Sequence, residues 1–454
     1  MARSIARIIG LDNFKFFSNN QRRTGVTQEE ARRKGWTVAL SGTVINLALG
    51  ILYAWSIFKK AITESITAGA KPENAANPDA FFHWDLAVIQ DPYAVACLMF
   101  AVAMIIAGKL QDRFGPSITA FIGGLLVASG FILVSQTNNY MMWILGFGIM
   151  FGLGMGFAYS SATPPALKWF PPNMTGMIAG IVVAGFGLAS VYIAPLATWL
   201  VKTYGLSHAL LCFGIGFAVV VCGLSQMLKN PPPGYSPVAA PAPTSGAPAP
   251  VAKPQVNLTP SEILKTYNFY ILWFAFFMGA GAGLMVIGSM APLAAKSMGE
   301  WAFVAVAILA VGNATGRIVA GSLSDKIGRE RTLFILMLFQ AVLMFLASQV
   351  IGSTYESNAV VIIALATLIG FNYGSNLALF PSIVKDLWGL KNFGINYGTK
   401  FTAWGIGAVV VIMGAERIKV AFGGYMIPFM ILGGLLVISA LLLLTLKKPS
   451  QESA

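Results

Sequence analysis

Charge is what this 454-residue sequence has least of: Asp, Glu, Lys and Arg together make 10% of it, against about a quarter in soluble domains, while 56% is hydrophobic. That scarcity excludes an ordinary soluble domain and points to a polytopic, all-α membrane protein. Histidine occurs twice and cysteine three times. Cys97, Cys212 and Cys222 all fall in apolar stretches, so they read as packing residues and neither a disulfide framework nor a metal site is expected. No phosphate-binding loop followed by Lys-Ser/Thr, His/Cys cluster or nucleophile elbow occurs. ATP-driven pumping and enzyme activity are therefore not expected, and neither is a cofactor.

Twelve apolar stretches of about 20 residues each suffice to cross about 30 Å of hydrocarbon. They begin near Val38, Ala87, Ser117, Tyr140, Met174, Leu206, Tyr267, Trp301, Thr332, Asn358, Phe393 and Gly424. The formal net charge of +13 could indicate nucleic acid, but its distribution follows topology instead. The first 36 residues and the even-numbered connections carry the excess, including Arg113, Lys168, Lys229, Lys326, Arg329 and Lys385. The positive-inside rule puts these connections and both termini in the cytoplasm, with no nucleic-acid partner. Odd connections are balanced or acidic, the first running from Lys59 to Leu86. The polar, basic N-terminus shows no secretory signal, and the first apolar run is expected to remain as a span.

Residues 230–258 are rich in Pro and Ala and read as a cytoplasmic linker. The expected organisation is a basic arm over 1–36, a six-helix bundle over 37–229, that linker, a second six-helix bundle over 259–446 and a tail over 447–454. The halves echo each other. "GKLQDRFGP" (Gly108–Pro116) after span 2 returns as "GSLSDKIGR" (Gly321–Arg329) after span 8, and Gly176-x-x-x-Gly180 returns as Gly394-x-x-x-Gly398. Parallel six-helix repeats place a substrate near the midplane between rocking halves.

The loop pattern, the span count and the long central connection resemble the major facilitator superfamily. "LGILYAWSIF" (Leu49–Phe58), "LKWFPPNMTGMIAG" (Leu167–Gly180), "GFNYGSNLALFPS" (Gly370–Ser382) and "NYGTKFTAWG" (Asn396–Gly405) resemble, more narrowly, the oxalate/formate antiporter family of bacterial carboxylate transporters. The resemblance implies transport by alternating access in a bacterial inner membrane. It also implies that Asp112, Arg113, Asp325, Lys326 and Arg329 act as conformational latches; as loop charges they also fit topology determinants wetted by the cytoplasm.

Arg317 is a different case. It lies eight residues before Asp325, about 12 Å along a helix, near the membrane midplane. Lys400, nine residues after Lys391, reaches about 13 Å from the same side. Each costs about 2.5–3.5 kcal/mol even on lenient insertion scales. No acid falls at mid-depth; the nearest are Asp91 and Glu416, at outer helix ends. Cations without an internal acid suggest an anion site, with snorkelling as the structural alternative.

The resemblance favours the anion site, since oxalate/formate antiporters use an arginine on span 8 and a lysine on span 11. Arg317 stands at the matching arginine; the lysine's place is taken by Trp404, one turn from Lys400. One arginine with an aromatic wall suits a monocarboxylate such as lactate, pyruvate or formate as well as oxalate. Tyr53, Tyr159 and Tyr373 are candidate lining residues whose hydroxyls can bond a carboxylate. At Asn313, related proton-coupled monocarboxylate transporters carry an aspartate; Asn cannot ionise, which favours anion exchange. The alternatives are a proton-coupled monocarboxylate symporter, a multidrug exporter and a non-transporting membrane sensor. The expected partners are a small organic anion and membrane lipid, and a monomer is expected.

Overall fold

The computed structural model describes residues 28–71, 80–171, 174–232, 235, 257–389 and 392–447. Most of the basic arm, nearly all of the Pro/Ala linker and the tail beyond Lys447 lie outside the described residues, as does the side chain of Asp112. Within the described residues the secondary structure is helical throughout.

Among the described residues the helices make twelve spans, as the fold of a twelve-helix membrane protein requires. Spans 2, 3, 7, 8, 9, 10 and 12 are the helices Asp91–Phe114, Pro116–Ser135, Tyr267–Ile287, Ala302–Ile327, Arg329–Val350, Ala359–Trp388 and Met426–Leu443. A continuous apolar stretch over Met177–Ser225 is 49 residues long, about 74 Å if straight and too much for one crossing. It folds at Gly205, whose φ of 79° and ψ of 167° break the helix, so spans 5 and 6 meet where the apolar pattern places their boundary. Span 4 runs from Tyr140 to Trp169 through a π-helical segment, Ile144–Phe151. Span 11 runs from Phe393 to Phe422 through another, Ala408–Ile412. Pro164, Pro165 and Pro381 lie inside continuous helices and not at their ends.

Span 1 differs from the sequence reading. Its helix Gln28–Leu49 continues through a tight 3-10 segment, Gly50–Ala54, into the helix Trp55–Gly69. Lys59 and Lys60 are therefore helical residues and not the start of the first connection. Helix formation satisfies the backbone here, so chain polarity alone does not end the element. Span 7 has a comparable break, at Gly288–Ser289, before the short helix Met290–Met298.

Spans 8 and 10 pack backbone against backbone. A Cβ on Gly316 would come to 1.9 Å from the Phe371 carbonyl oxygen, and one on Gly374 to 1.9 Å from that of Asn313. Only hydrogen fits at these two positions, which fixes the height of Arg317 against Tyr373. Span 8 also packs on span 5, and span 11 on span 2, so the first six spans meet the last six along these pairs. In the repeated GxxxG pair, Gly180 and Gly394 have no neighbour within 4 Å of a built Cβ, and Gly398 has Ile105 at 3.7 Å.

The bonds that join the two halves gather at the centre and at the face opposite the basic loops. At that opposite face Lys59 meets Glu416, Arg417 meets Asp91, and Lys202 meets Glu300. Near the basic face, by contrast, Met177 of span 5 and Ile395 of span 11 are exposed.

Candidate functional site

Arg317 leaves span 8 toward span 5. Its Nε donates to Asn313 Oδ1, one turn back, at 3.2 Å, and its Nη1 to the Val183 carbonyl at 3.3 Å. The guanidinium carbon lies 3.5 Å from where a Cβ on Gly187 would be, so span 5 offers it backbone and no side chain. Both hydrogen-bond partners are neutral oxygens. Asn313 is fully buried, orients the guanidinium and leaves its charge uncancelled.

Around this charge stand tyrosines from four spans. Tyr53 and Tyr159 pack edge-on to Phe186, the residue before Gly187 on span 5, and Tyr397 packs on Phe401. Tyr53 belongs to the 3-10 segment of span 1, whose tighter winding turns all five of its residues inward. Its hydroxyl lies 3.0 Å from that of Tyr373 on span 10, and Trp404 Nε1 on span 11 donates to the Tyr373 hydroxyl at 3.0 Å. Tyr53, Tyr373 and Trp404 thus form one ladder across the halves. Tyr373 fits because span 7 carries Gly283 at the contact; a Cβ there would come to 2.5 Å from the Tyr373 ring. Tyr159 packs edge-on to Phe100 and Phe186, and Phe100 also meets Phe401 and Trp404. The result is one cation beside a cluster of packed aromatic rings that carry tyrosine hydroxyls.

Lys400 does not join it. Its Nζ is fully buried without a hydrogen-bond partner, 5.2 Å from the Phe380 ring centre and 5.8 Å from that of Phe269. Depth follows from spacing, and Lys400 does lie one turn from Trp404; at that turn, however, spans 7 and 10 present phenyl rings and not the chamber. The expected pairing of Lys400 with Arg317 is absent, and cation–π contact is the compensation that remains.

The loop charges also pair locally. Arg329 reaches Asp325 at 2.6 Å and Asp386, at the end of span 10, at 3.2 Å, with Ser324 as a further close partner. These contacts stay within spans 8 to 10. Arg113 lies over its neighbour Phe114, and Lys326 is exposed.

Two features escaped the sequence. One is Tyr397, whose ring packs on Phe401 at the edge of the aromatic cluster. The larger omission is a polar network at the opposite face. Lys59 Nζ donates to Glu416 Oε2 at 2.6 Å, to the Tyr425 hydroxyl at 2.9 Å and to Ser289 Oγ at 3.4 Å. The Glu416 carboxylate also accepts from Lys419 at 2.8 Å and from Tyr425 at 2.9 Å. Gln90 Nε2 donates to Ser289 Oγ and to the Gly288 carbonyl freed at the break in span 7, while Gln90 Oε1 accepts from Trp55 Nε1 at 2.7 Å. Lys59 and Glu416 are each 1% exposed. The available signal was periodic: the apolar pattern of span 1 continues past Lys59 at Ile62 and Ile66.

The Major Facilitator Superfamily model matches residues 35–411 and, in a second match, 296–454. The MFS-type transporter YhjX of Escherichia coli is 28% identical over 393 residues, covering 85% of this chain and 88% of that protein. The oxalate:formate antiporter of Oxalobacter formigenes is 24% identical over 410 residues, covering 86% and 88%. Human monocarboxylate transporter 11 is 26% identical over 303 residues, covering 64% and 56%. Among solved structures, a D-xylose-proton symporter superposes with a TM-score of 0.67 over 92% of this chain and 99% of its own, at 13% identity. That last likeness concerns the fold alone.

Proposed function

The chain belongs to the major facilitator superfamily, a membrane transporter by descent, and from that premise we propose that it carries small carboxylate anions by alternating access, in exchange for one another. The observation that carries this reading is the neutral company of Arg317: its amide and carbonyl partners orient the guanidinium and leave the charge to a ligand. A carboxylate entering the chamber would meet the free guanidinium edge, with the hydroxyls of Tyr159 and Tyr397 beside it and Tyr53 and Tyr373 above.

A single cation fits a single carboxylate. With Lys400 held between Phe269 and Phe380, the far end of the substrate meets the one hydroxyl proton that the Tyr53–Tyr373 pair leaves free, which suits a carbonyl or hydroxyl better than a second charge. Monocarboxylates of the pyruvate or lactate type are therefore favoured over oxalate. The relatives' printed names, an oxalate:formate antiporter and a monocarboxylate transporter, agree with a carboxylate and differ on which.

Exchange follows from the same charge. An empty chamber holds an unpaired guanidinium, and reorienting it through a dry intermediate costs several kcal/mol. A bound anion removes that cost in both directions. Asn313 has no proton to trade at the site, so proton symport is the weaker reading. We place the protein in a bacterial inner membrane with the basic face cytoplasmic, residues 37–229 and 259–446 rocking as two bundles. Asp112, Arg113, Asp325, Lys326 and Arg329 latch that face when it closes.

The test is counterflow by purified protein in liposomes preloaded with unlabelled pyruvate, lactate, formate or oxalate at equal pH on both sides. Labelled pyruvate or lactate should accumulate transiently only when an internal carboxylate is present. Absence of counterflow with all four from folded protein would overturn the reading.

A further inference from the structure

All three hydrogen bonds of Lys59 cross to the other half of the molecule, to Ser289, Glu416 and Tyr425. Glu416, in contrast, has Lys419 and Tyr425 on its own half. Parting the halves at this face strips Lys59 of every one of these partners and leaves Glu416 two of its three. Neither charged group can part dry, since each is 1% exposed and breaking a buried pair leaves an uncompensated charge.

The pair is also wired to the chamber. Lys59 sits in the same run of span 1 as Trp55, which is tied to Gln90 and through it to Ser289, and as Tyr53, the roof over Arg317. On the other side, Glu416 follows the π-helical segment Ala408–Ile412, which separates it from Trp404. Such segments often mark functional hinges in helices. The exposed Arg417 and buried Asp91 form a second, forked bridge at the rim, with Arg417 Nη2 and Asp91 Oδ2 at 3.0 Å.

We propose that Lys59 and Glu416 form a charge lock that holds this face shut and, by setting the balance between the two orientations, sets the sidedness of substrate affinity. A carrier that rests closed to the outside binds external substrate more weakly by the fraction of molecules open there. Weakening the lock raises that fraction. External half-saturation then falls while the internal value rises, with no residue of the chamber changed.

The lock can be read without any substrate. Cys97 is fully buried on span 2, one turn inward of Tyr93, whose ring stacks on Trp55, and so lies beneath the lock. In a C212S/C222S background, labelling of Cys97 by a membrane-impermeant maleimide added outside reports opening of this face. Glu416→Gln should accelerate labelling at least about tenfold, because it leaves Lys59 a buried charge that only water can satisfy. Lys59→Gln, which leaves Glu416 to Lys419 and Tyr425, should accelerate it less. The double variant, with neither charge left, should label more slowly than Glu416→Gln. Tyr425→Phe, a milder change, should fall between wild type and Glu416→Gln. Glu416→Gln labelling at the wild-type rate, or a double variant labelling as fast as it does, would overturn the proposal. The affinity shift rests on the carboxylate reading; the labelling does not, so failure of one is distinguishable from failure of the other.

Discussion

Replacing Arg317 probes the chamber most sharply. Two of its N–H groups are committed to Asn313 and Val183; the remaining guanidinium edge can hold a carboxylate through two charge-assisted hydrogen bonds. At about 1.5–3 kcal/mol each, their loss in Arg317→Gln amounts to about 3–6 kcal/mol, roughly 10²- to 10⁴-fold in affinity. Arg317→Lys keeps the charge and loses the fork, which should raise half-saturation about tenfold. Arg317→Gln should fold, because removing a half-buried cation from an apolar setting relieves a cost, and Arg317→Lys leaves that charge in place. The assay is counterflow together with direct binding of labelled pyruvate to detergent-purified protein. Binding by Arg317→Gln within about threefold of wild type would refute the assignment.

Other changes test the surroundings. Asn313→Asp sets a carboxylate at the 3.2 Å contact with Arg317, so anion binding should weaken at neutral pH as the new carboxylate competes for the guanidinium; binding at neutral pH equal to wild type would argue against it. Lys400→Met replaces an unpartnered buried amine with an isosteric apolar chain; melting should rise by about 1–3 kcal/mol in stability with pyruvate exchange retained, whereas loss of exchange would return Lys400 to the substrate site. Gly316→Ala drives a methyl into the Phe371 carbonyl at 1.9 Å, and should cost about 1–3 kcal/mol in thermal stability while displacing Arg317 and suppressing transport. Tyr373→Phe strands Trp404 Nε1 and frees Tyr53, costing about 1–3 kcal/mol for the buried donor and weakening discrimination between pyruvate and propionate, which lacks the carbonyl.

Much of this molecule was legible in its sequence. Apolar length alone gives the crossings, even where one helix runs on to Phe217, because Gly205 sits where the pattern needs a fold-back. Arg317 and Asn313, one turn apart on one helix, are related by spacing, and spacing survives folding. What spacing cannot supply is azimuth: Lys400 has the expected depth, yet the rings beside it come from Phe269 and Phe380, far away in the chain. Lys59 was hidden for a different reason. A lysine at the end of an apolar run reads as the start of a loop, and the carboxylate that keeps it inside the helix lies 357 residues further on. Long-range charge pairing is invisible to local polarity.

The central claim is that a substrate carboxylate rests on Arg317. Solid-state NMR of the membrane-embedded protein, with ¹³C-carboxyl pyruvate and ¹⁵N-labelled arginine, measures that contact as a dipolar coupling. A carboxyl carbon within about 4 Å of guanidinium nitrogen, as a forked ion pair requires, and loss of the coupling in Arg317→Lys are the results predicted here. Bound pyruvate that couples to lysine Nζ instead, or to no arginine at all, would contradict it.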